Sequence, residues 1–282
     1  MEGTGDNVEE VRDNMEPLAL IFAALIGISL GLIGAGGSIL TVPVLVYLAH
    51  VEPVLATAYS LFVVGSTALV GGIRNSFKGS VDFSTALLFG IPSIVAVYAT
   101  RAWIMPALPD SFGLLGVTVT KGTAVLVFFA ALMLATSISM IRTRGSVTDL
   151  EEVVGHVHSH HFGLVLFEGV GVGVLTGLVG AGGGFLIIPA LVLLGGLDMK
   201  RAVGTSLVII AMKSLLGFVG DVQIGTLIDW PFLLLFTGSS VGGIFLGSWL
   251  AHYVHGESLK KAFGWFVLVM GVYMILRETV FA

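Results

Sequence analysis

Two glycine runs carry the clearest chemical signal in the chain. Gly34-Ala-Gly-Gly37 and Gly180-Ala-Gly-Gly183 each lie inside a long apolar segment. A run of glycines weakens a helix and frees backbone N–H groups, which are tolerated at membrane depth mainly where they line a cavity. The helices that restart near Ser38 and Gly184 would point the positive ends of their dipoles into that cavity. We therefore predict an anion site at the two breaks, the alternative being a purely structural kink.

A lysine inside an apolar segment is the second signal. Lys213 lies within the run 202–219, where a lysine costs about 2.5–3.5 kcal/mol on insertion scales. It could neutralise a bound anion, or its ammonium could snorkel to the headgroups. Hydroxyls on the same helices could complete the hydrogen bonds of an oxyanion, although they also bond back to their own helix. The predicted binding set is Gly34, Ala35, Gly36, Gly37, Ser38, Gly180, Ala181, Gly182, Gly183, Gly184, Ser60, Thr67, Arg74, Thr205, Ser206 and Lys213.

Two carboxylates leave alternatives open. Asp221 ends the helix that contains Lys213, at the position that corresponds to Asn75, and either pairs with a cation or caps the turn. Glu168 lies near the start of an apolar segment, where it either snorkels or carries a proton. We favour snorkelling for Glu168.

The chain contains the same unit twice. Residues 27–49 align with 173–195 without a gap and match at 12 of 23 positions. At the same spacing of 146 residues, Lys213 corresponds to Thr67. Transporters are commonly built from two such copies, with the substrate site between them.

Composition indicates an integral membrane protein. Of the 282 residues, 11% are charged and 56% apolar, with a mean hydropathy of +1.02. A soluble protein has about 25% charged residues, so most of this surface must face lipid. The net charge of −5 offers no basic surface to nucleic acid. Because the sequence has no Walker A phrase, zinc-protease motif or nucleophile elbow, we expect no ATP, no metal, no other cofactor and no enzymatic activity.

Eight apolar segments are predicted, four in each half, at 18–49, 54–73, 83–105, 122–141, 162–195, 202–219, 231–252 and 261–281. The first and fifth have 32 and 34 residues. A straight helix of that length would measure about 50 Å, against a hydrocarbon core of about 30 Å. Both contain a glycine run, so each is predicted to form a helix, a break and a second helix. The fold is then all-α, with each broken segment either a re-entrant hairpin or an interrupted crossing.

Positive charge favours the re-entrant alternative. If all eight segments cross, lysines and arginines divide evenly between the two sides, against the positive-inside bias. If the broken segments are re-entrant, eight basic residues are cytoplasmic: Arg74, Lys78, Arg142, Arg144, Lys200, Arg201, Lys260 and Lys261. Four then fall on the outer side: Arg12, Arg101, Lys121 and Arg277. Three crossings per copy, an odd number, would insert the second copy upside down, which predicts two inverted repeats.

The predicted organisation has four parts. An acidic N-terminal tail covers 1–16, a first transmembrane repeat 17–141, a linker 142–161 and a second repeat 162–282. The linker holds four histidines between His156 and His161. Histidines this dense can bind zinc or nickel, so a regulatory metal site is one interpretation. A solvated connector is the interpretation we favour.

The doubled glycine phrase also carries a resemblance. Gly-Leu-[Ile/Val]-Gly-Ala-Gly-Gly with a proline six residues on, and Ala202-Val-Gly-Thr-Ser-Leu207 after the second copy, resembles the TauE/SafE family of sulfite and organosulfonate exporters, which are TSUP-type membrane transporters. The first copy departs from this pattern at Ala56-Thr-Ala-Tyr-Ser60. The resemblance covers nearly the whole chain apart from the acidic tail and the linker. It implies transport of a sulfur-containing oxyanion such as sulfite or sulfoacetate.

We therefore expect a secondary transporter or facilitator that exports such an anion by alternating access. Its expected location is the bacterial cytoplasmic (inner) membrane, as a multi-pass protein. Export is favoured because a membrane negative inside expels anions, with about 2.3 kcal/mol per charge per 100 mV. An anion channel of the same architecture and a proton-coupled importer of a sulfur compound are the alternatives. The expected partners are the sulfur oxyanion and the lipid bilayer, without nucleic acid; the oligomeric state is open, a homodimer being one alternative.

Overall fold

A computed structural model describes residues 5–114, 117–142, 162–193, 196–251 and 256–280. The helices in these ranges are α1 (Gly5–Ile33), α2 (Thr41–Tyr47), α3 (Pro53–Phe77), α4 (Phe83–Ala99), α5 (Met105–Ala107), α6 (Lys121–Arg142), α7 (Phe162–Val179), α8 (Gly184–Leu193), α9 (Met199–Gln223), α10 (Trp230–Leu250) and α11 (Gly256–Val280). A 3₁₀ helix (Gly34–Leu40) joins α1 to α2, and a π-helical segment (Thr100–Ile104) joins α4 to α5. The histidine cluster of the linker lies outside the described residues.

Most of the described chain is helical, and several helices are long enough to cross a bilayer. Five spans have the required length and apolar composition: Pro53–Phe77, Phe83–Ala107, Lys121–Ile138, Lys200–Gln223 and Trp230–Leu250. The six unbroken segments predicted from hydropathy each coincide with one helix to within a few residues. The chain is therefore a multi-pass, α-helical membrane protein, as its composition predicts.

Equivalent helices of the two halves begin with equivalent acidic caps. Asp82 Oδ1 accepts a hydrogen bond from Thr85 N at 2.8 Å at the start of α4, and Asp229 Oδ1 accepts one from Phe232 N at 3.2 Å at the start of α10. Glu52 and Asp198 cap α3 and α9 in the same way. An acidic side chain at this position satisfies a free N–H group and interacts favourably with the helix dipole.

The two halves pack through matching pairs of helices. α1 packs on α10 and α7 packs on α4, while α3 packs on α9 and α6 on α11. Four glycines of α1 and α7 allow these helices to approach their partners closely. A Cβ added at Gly31 would lie 2.6 Å from Ile244 O in α10, and one at Gly177 would lie 2.6 Å from Thr100 Cβ at the end of α4. Gly27 and Gly173 make the corresponding contacts one turn earlier.

The centre of the molecule is formed by α3 and α9. In the most apolar stretch of each of these two helices, 67% of the residues are buried, against 33–39% in the other three spans. Because the more exposed helices present their apolar side chains outward, α3 and α9 are the helices best placed to line an internal polar site. Both carry candidate residues of the predicted binding set.

A short β-hairpin departs from the all-α prediction. Strand β1 (Ser111–Leu114) pairs antiparallel with β2 (Val117–Thr120), with Ser111 opposite Thr120. The alternating β-branched residues of β2 favour a strand over a helix. This hairpin connects α5 to α6 and takes no part in the packing of α3 on α9.

Candidate functional site

The first glycine run folds back on the helix that precedes it. A Cβ added at Gly37 would lie 2.6 Å from Leu30 N and 2.7 Å from Ser29 Oγ. Residues seven apart in a continuous α-helix are separated by about 10 Å along its axis, so the chain reverses within the 3₁₀ helix. α2 begins at Thr41, three residues after the predicted restart near Ser38, because the 3₁₀ turn continues through Leu40.

The second glycine run also folds back, but with a different backbone. Gly180, Gly182 and Gly183 have φ values of 75°, 65° and 64°, in the left-handed region where glycine is free of Cβ strain. A Cβ added at Gly183 would lie 3.3 Å from Val172 Cγ1, eleven residues earlier in α7. α8 then begins at Gly184, as predicted from the sequence.

The two breaks contact each other. Ser38 Oγ donates a hydrogen bond of 2.6 Å to Ala181 O, and both groups are buried. A Cβ added at Gly182 would lie 3.4 Å from the same Ser38 Oγ. The two glycine runs, 146 residues apart in sequence, therefore meet inside the protein.

Lys213 lies beside the second break. Its side chain is fully buried, at 0% exposure, and its Nζ donates a hydrogen bond of 2.8 Å to Thr176 Oγ1 in α7. A Cβ added at Gly183 would lie 2.8 Å from the same Nζ. The snorkelling alternative for Lys213 is therefore wrong, because the ammonium stays inside the protein.

The ammonium of Lys213 has no negative partner in the part of the chain that the structure describes. An ammonium can donate three hydrogen bonds, and one bond, to Thr176, is described. Among the described residues no carboxylate oxygen lies within 4.0 Å of Lys213 Nζ. A buried charge without an opposite charge is strongly destabilising, so this position is chemically suited to an anion.

One face of α3 lines the opposite side of the second break. A Cβ added at Gly180 would lie 2.6 Å from Thr57 Cβ, and one at Gly182 would lie 2.6 Å from Val64 Cγ1. Ser60 is between these two contacts, at spacings of three and four residues that share a helix face. Its Oγ is buried and has no hydrogen-bond partner among the described residues. Ser60 therefore supplies a free hydroxyl on the helix face that covers the break.

Two predicted hydroxyls of α9 are engaged elsewhere. Thr205 Oγ1 accepts a hydrogen bond of 2.9 Å from Asp82 N, at the start of α4. Ser206 Oγ donates a bond of 2.8 Å to Val203 O in its own helix. These bonds connect and stabilise helices, and the structure does not bring either hydroxyl to Lys213.

The two predicted residues in the second half of α3 also lie apart from Lys213. Thr67 Oγ1 donates to Val63 O at 2.7 Å and is hydrogen-bonded to Ser240 Oγ at 3.1 Å. Arg74 is in the last turn of α3 and is partly exposed. Thr67 occupies the position of Lys213 in the first half, so the first half has a bonded hydroxyl where the second half has a charge.

Arg101 is a buried charged residue outside the binding set predicted from the sequence. It lies in the π-helical segment after α4 and is fully buried. Arg101 Nη1 donates to Thr57 Oγ1 at 3.0 Å and forms an ion pair with Asp221 Oδ1 at 3.4 Å. Asp221 thus pairs with a cation. The signal available in the sequence was the position of Arg101 inside the apolar run 83–105.

Glu168 is half-buried near the N-terminal end of the described apolar part of α7. Its Oε2 is buried and has no hydrogen-bond partner among the described residues. The structure does not bring Glu168 into the hydrogen bonds around Lys213, and its snorkelling stays a prediction.

Several membrane-length helices, two meeting breaks and a buried lysine define a multi-pass membrane protein with a polar interior. The family model described as "Sulfite exporter TauE/SafE" matches residues 19–274, and the chain belongs to that family. The resemblance identified from the doubled glycine phrase is therefore confirmed.

Similar proteins carry transporter names. A probable membrane transporter protein of Xylella fastidiosa (strain 9a5c) is 29% identical over 262 residues, covering 90% of this chain and 92% of the relative. The probable membrane transporter protein YunE of Bacillus subtilis (strain 168) is 27% identical over 278 residues, covering 93% and 96%. No solved structure matches the chain. The family and these names indicate a membrane transporter and not an enzyme.

Proposed function

We propose that this protein is a secondary transporter or facilitator that exports a small sulfur-containing oxyanion across the bacterial cytoplasmic membrane. The observation that carries the proposal is the buried ammonium of Lys213, which has no carboxylate within 4.0 Å among the described residues. A bound anion would supply the missing negative charge. The family description, sulfite exporter, supports sulfite or an organosulfonate as that anion.

The groups around Lys213 are suited to a sulfur oxyanion. Lys213 Nζ makes one of its three possible hydrogen bonds within the described residues, to Thr176. The hydroxyl of Ser60, which has no partner among them, lies on the helix face next to the same break. α8 begins at Gly184, next to Gly183 and so close to Lys213 Nζ, and the positive end of its dipole favours an anion. An oxyanion with several acceptor oxygens would accept hydrogen bonds from these donors together, which favours it over a halide ion.

We propose alternating access of two inverted repeats as the mechanism. The matching helix contacts between the halves support a two-fold relation. Both broken segments turn back on the preceding helix, which supports re-entrant hairpins and three crossings per copy. The Ser38–Ala181 hydrogen bond joins the tips of the two hairpins, so movement of one half relative to the other would open the anion site to one side at a time.

The proposed direction is outward. A monovalent sulfonate leaving a cell that is negative inside gains about 2.3 kcal/mol per 100 mV, so export needs no coupling ion. Liposomes that hold sulfonate on both sides test this directly. A potassium-diffusion potential without a pH gradient should drive net anion flux toward the positive side. Flux that ignores voltage and follows a pH gradient would instead support the proton-coupled importer.

Counterflow in liposomes tests the function itself. Vesicles loaded with unlabelled methanesulfonate should transiently accumulate external ³⁵S-sulfite, and the effect should saturate. Lys213→Met should abolish it, whereas Lys200→Met, at an exposed lysine in the first turn of the same helix, should not. Counterflow that is retained in Lys213→Met would remove Lys213 from the site. Flux without saturation or counterflow would support the anion channel.

A further inference from the structure

Two of the three nitrogens of the Arg101 guanidinium make no hydrogen bond to any described residue. Nη1 contacts Thr57 Oγ1 at 3.0 Å and Asp221 Oδ1 at 3.4 Å. Nε and Nη2 are buried and have no hydrogen-bond partner in the described part of the chain. These two nitrogens form one edge of the guanidinium, with parallel N–H bonds whose spacing matches two oxygens of one oxyanion.

The ion pair with Asp221 does not account for this geometry. A structural arginine–carboxylate pair is typically bidentate, with two parallel bonds. Arg101 and Asp221 make one long contact of 3.4 Å, and the second carboxylate oxygen, Oδ2, is also buried without a partner among the described residues. Each buried polar group left unpaired costs about 1–3 kcal/mol. The free edge therefore points to a group that binds there.

The local backbone positions this edge. Arg101 lies in the π-helical segment Thr100–Ile104, and π-bulges occur frequently at functional sites. A Cβ added at Gly220 in α9 would lie 3.0 Å from Arg101 Cβ, so α9 packs directly against the arginine. The Arg101 side chain thus lies between α9, which contacts its Cβ, and Thr57 of α3, which contacts its Nη1, and its charged end is inside the protein.

Arg101 and Lys213 lie near opposite ends of the second break. Thr57 contacts both Arg101 and Gly180, while Lys213 contacts Gly183. Asp221, the ion-pair partner of Arg101, is eight residues after Lys213 on α9, which corresponds to about 12 Å along the helix axis. Arg101, through its ion pair with Asp221, and Lys213 are therefore separate cationic centres beside and on α9.

We propose that the Nε–Nη2 edge of Arg101 is a second binding site for an oxyanion, distinct from the site at Lys213. Its ligand class is an anion that presents two oxygens to the fork, as sulfite and sulfonates do. The neighbouring carboxylate of Asp221 repels this anion, so the Arg101 site binds more weakly than the Lys213 site. This inference rests on the proposed function, because it adds a second step to the path of the same anion.

Equilibrium dialysis of ¹⁴C-methanesulfonate against the purified full-length protein tests the second site. The wild type should bind two anions per chain with different affinities. Arg101→Lys keeps the positive charge and removes the fork, so the weaker site should be lost and the tighter one retained. Lys213→Met should lose the tighter site and retain the weaker one. Arg201→Lys, in an exposed pair with Asp198 on the same helix, is the matched control and should retain both.

Asp221→Asn gives a readout that a purely structural ion pair would not produce. Removing the neighbouring negative charge should tighten the weaker site about tenfold. Unchanged or weaker binding would contradict the proposal, and this variant keeps the test informative if Arg101→Lys does not fold. One anion per wild-type chain, lost in Lys213→Met and retained in Arg101→Lys, would overturn the second site and leave the proposed function standing. Wild-type binding that is unchanged in Lys213→Met would overturn the proposed site at Lys213.

Discussion

The two glycine breaks have the same Gly-Ala-Gly-Gly sequence and different structures. The first forms a 3₁₀ helix that packs on the backbone of α1, beside Leu30 N. The second forms a turn with three glycines of positive φ, and it packs beside the side chains of Thr176 and Lys213. The repeat therefore supplies the same glycine run twice, but a buried charge at only one of the two corresponding positions, Lys213 and Thr67.

Two pairs of corresponding residues account for the difference in chemistry. Thr176 corresponds to Leu30, and Lys213 corresponds to Thr67. In the second half these positions give a hydrogen-bonded ammonium, whereas Thr67 bonds to Val63 O of its own helix and to Ser240 Oγ. The duplicated sequence thus carries both glycine runs, and a few side chains give the second half a buried charge that the first half lacks at the corresponding position.

The largest expected effect comes from moving the charge between the halves. Lys213→Thr should weaken methanesulfonate binding about thirtyfold or more, the loss typical of removing one partner of a buried charged pair. Adding Thr67→Lys to it should not restore binding, because Leu30 occupies the position of Thr176 in the first half and cannot accept a hydrogen bond from the new ammonium. Equilibrium dialysis checks both variants. Full restoration in the double variant would show that the two breaks are equivalent.

Replacing Lys213 should weaken anion binding but should not lower the thermal stability of the anion-free protein. Without anion, Lys213→Met should raise or leave unchanged the melting temperature, because it removes a buried charge that has no opposite partner among the described residues. The melt of intrinsic tryptophan fluorescence in detergent measures this. A marked loss of stability would mean that Lys213 is a structural residue.

Substitutions at Gly37 and Gly183 should affect different properties, the first mainly stability and the second also anion binding. A Cβ at Gly37 would lie 2.6 Å from a backbone nitrogen, so Gly37→Ala should lower the free energy of unfolding by about 1–3 kcal/mol, typical of overpacking. A Cβ at Gly183 would lie 2.8 Å from Lys213 Nζ, so Gly183→Ala should weaken anion binding in addition to its backbone strain of about 1–2 kcal/mol. Thermal melts and dialysis of both variants check this. Equal binding losses would contradict the asymmetry.

A smaller effect is expected from the hydroxyl that bonds Lys213. Thr176→Val should weaken methanesulfonate binding about tenfold, the order expected for a hydrogen bond to a charged group. Thr237→Val is the matched control, since Thr237 is buried and donates to Leu233 O of its own helix at 2.7 Å. Binding that falls equally in both variants would indicate a general loss of packing.

The smallest effect concerns the contact between the breaks. Ser38→Ala removes the 2.6 Å hydrogen bond to Ala181 O, and the free energy of unfolding should fall by about 1 kcal/mol. Affinity for methanesulfonate should change little, because Ser38 joins the two halves and does not contact Lys213 in the described hydrogen bonds. A large loss of affinity with unchanged stability would place Ser38 in the binding site.

Sequence patterns predicted the membrane-length helices well, because hydropathy acts locally. The sequence also singled out Lys213, because a charged residue within an apolar segment is visible without knowledge of the fold. Sequence patterns did not predict the hairpin at Ser111–Thr120 within an otherwise helical chain. Short strands in a loop carry a weak sequence signal.

Contacts between distant segments could not be predicted from one sequence. The burial of Arg101 depends on Asp221, 120 residues away, and on Thr57 in another helix. Likewise, identical glycine runs gave no indication that the second would adopt left-handed φ values and the first a 3₁₀ helix. The side chains that pack around each run differ, and only the folded arrangement brings them there.

The central claim is that an oxyanion binds at the second break and not at the first. Crystals soaked with bromomethanesulfonate, with diffraction recorded at the bromine absorption edge, test it most directly. We expect the strongest anomalous peak beside the second break, with the sulfonate oxygens at hydrogen-bond distance from Lys213 Nζ and close to Gly183. A strongest peak at the first break, or peaks on the protein surface alone, would contradict the account.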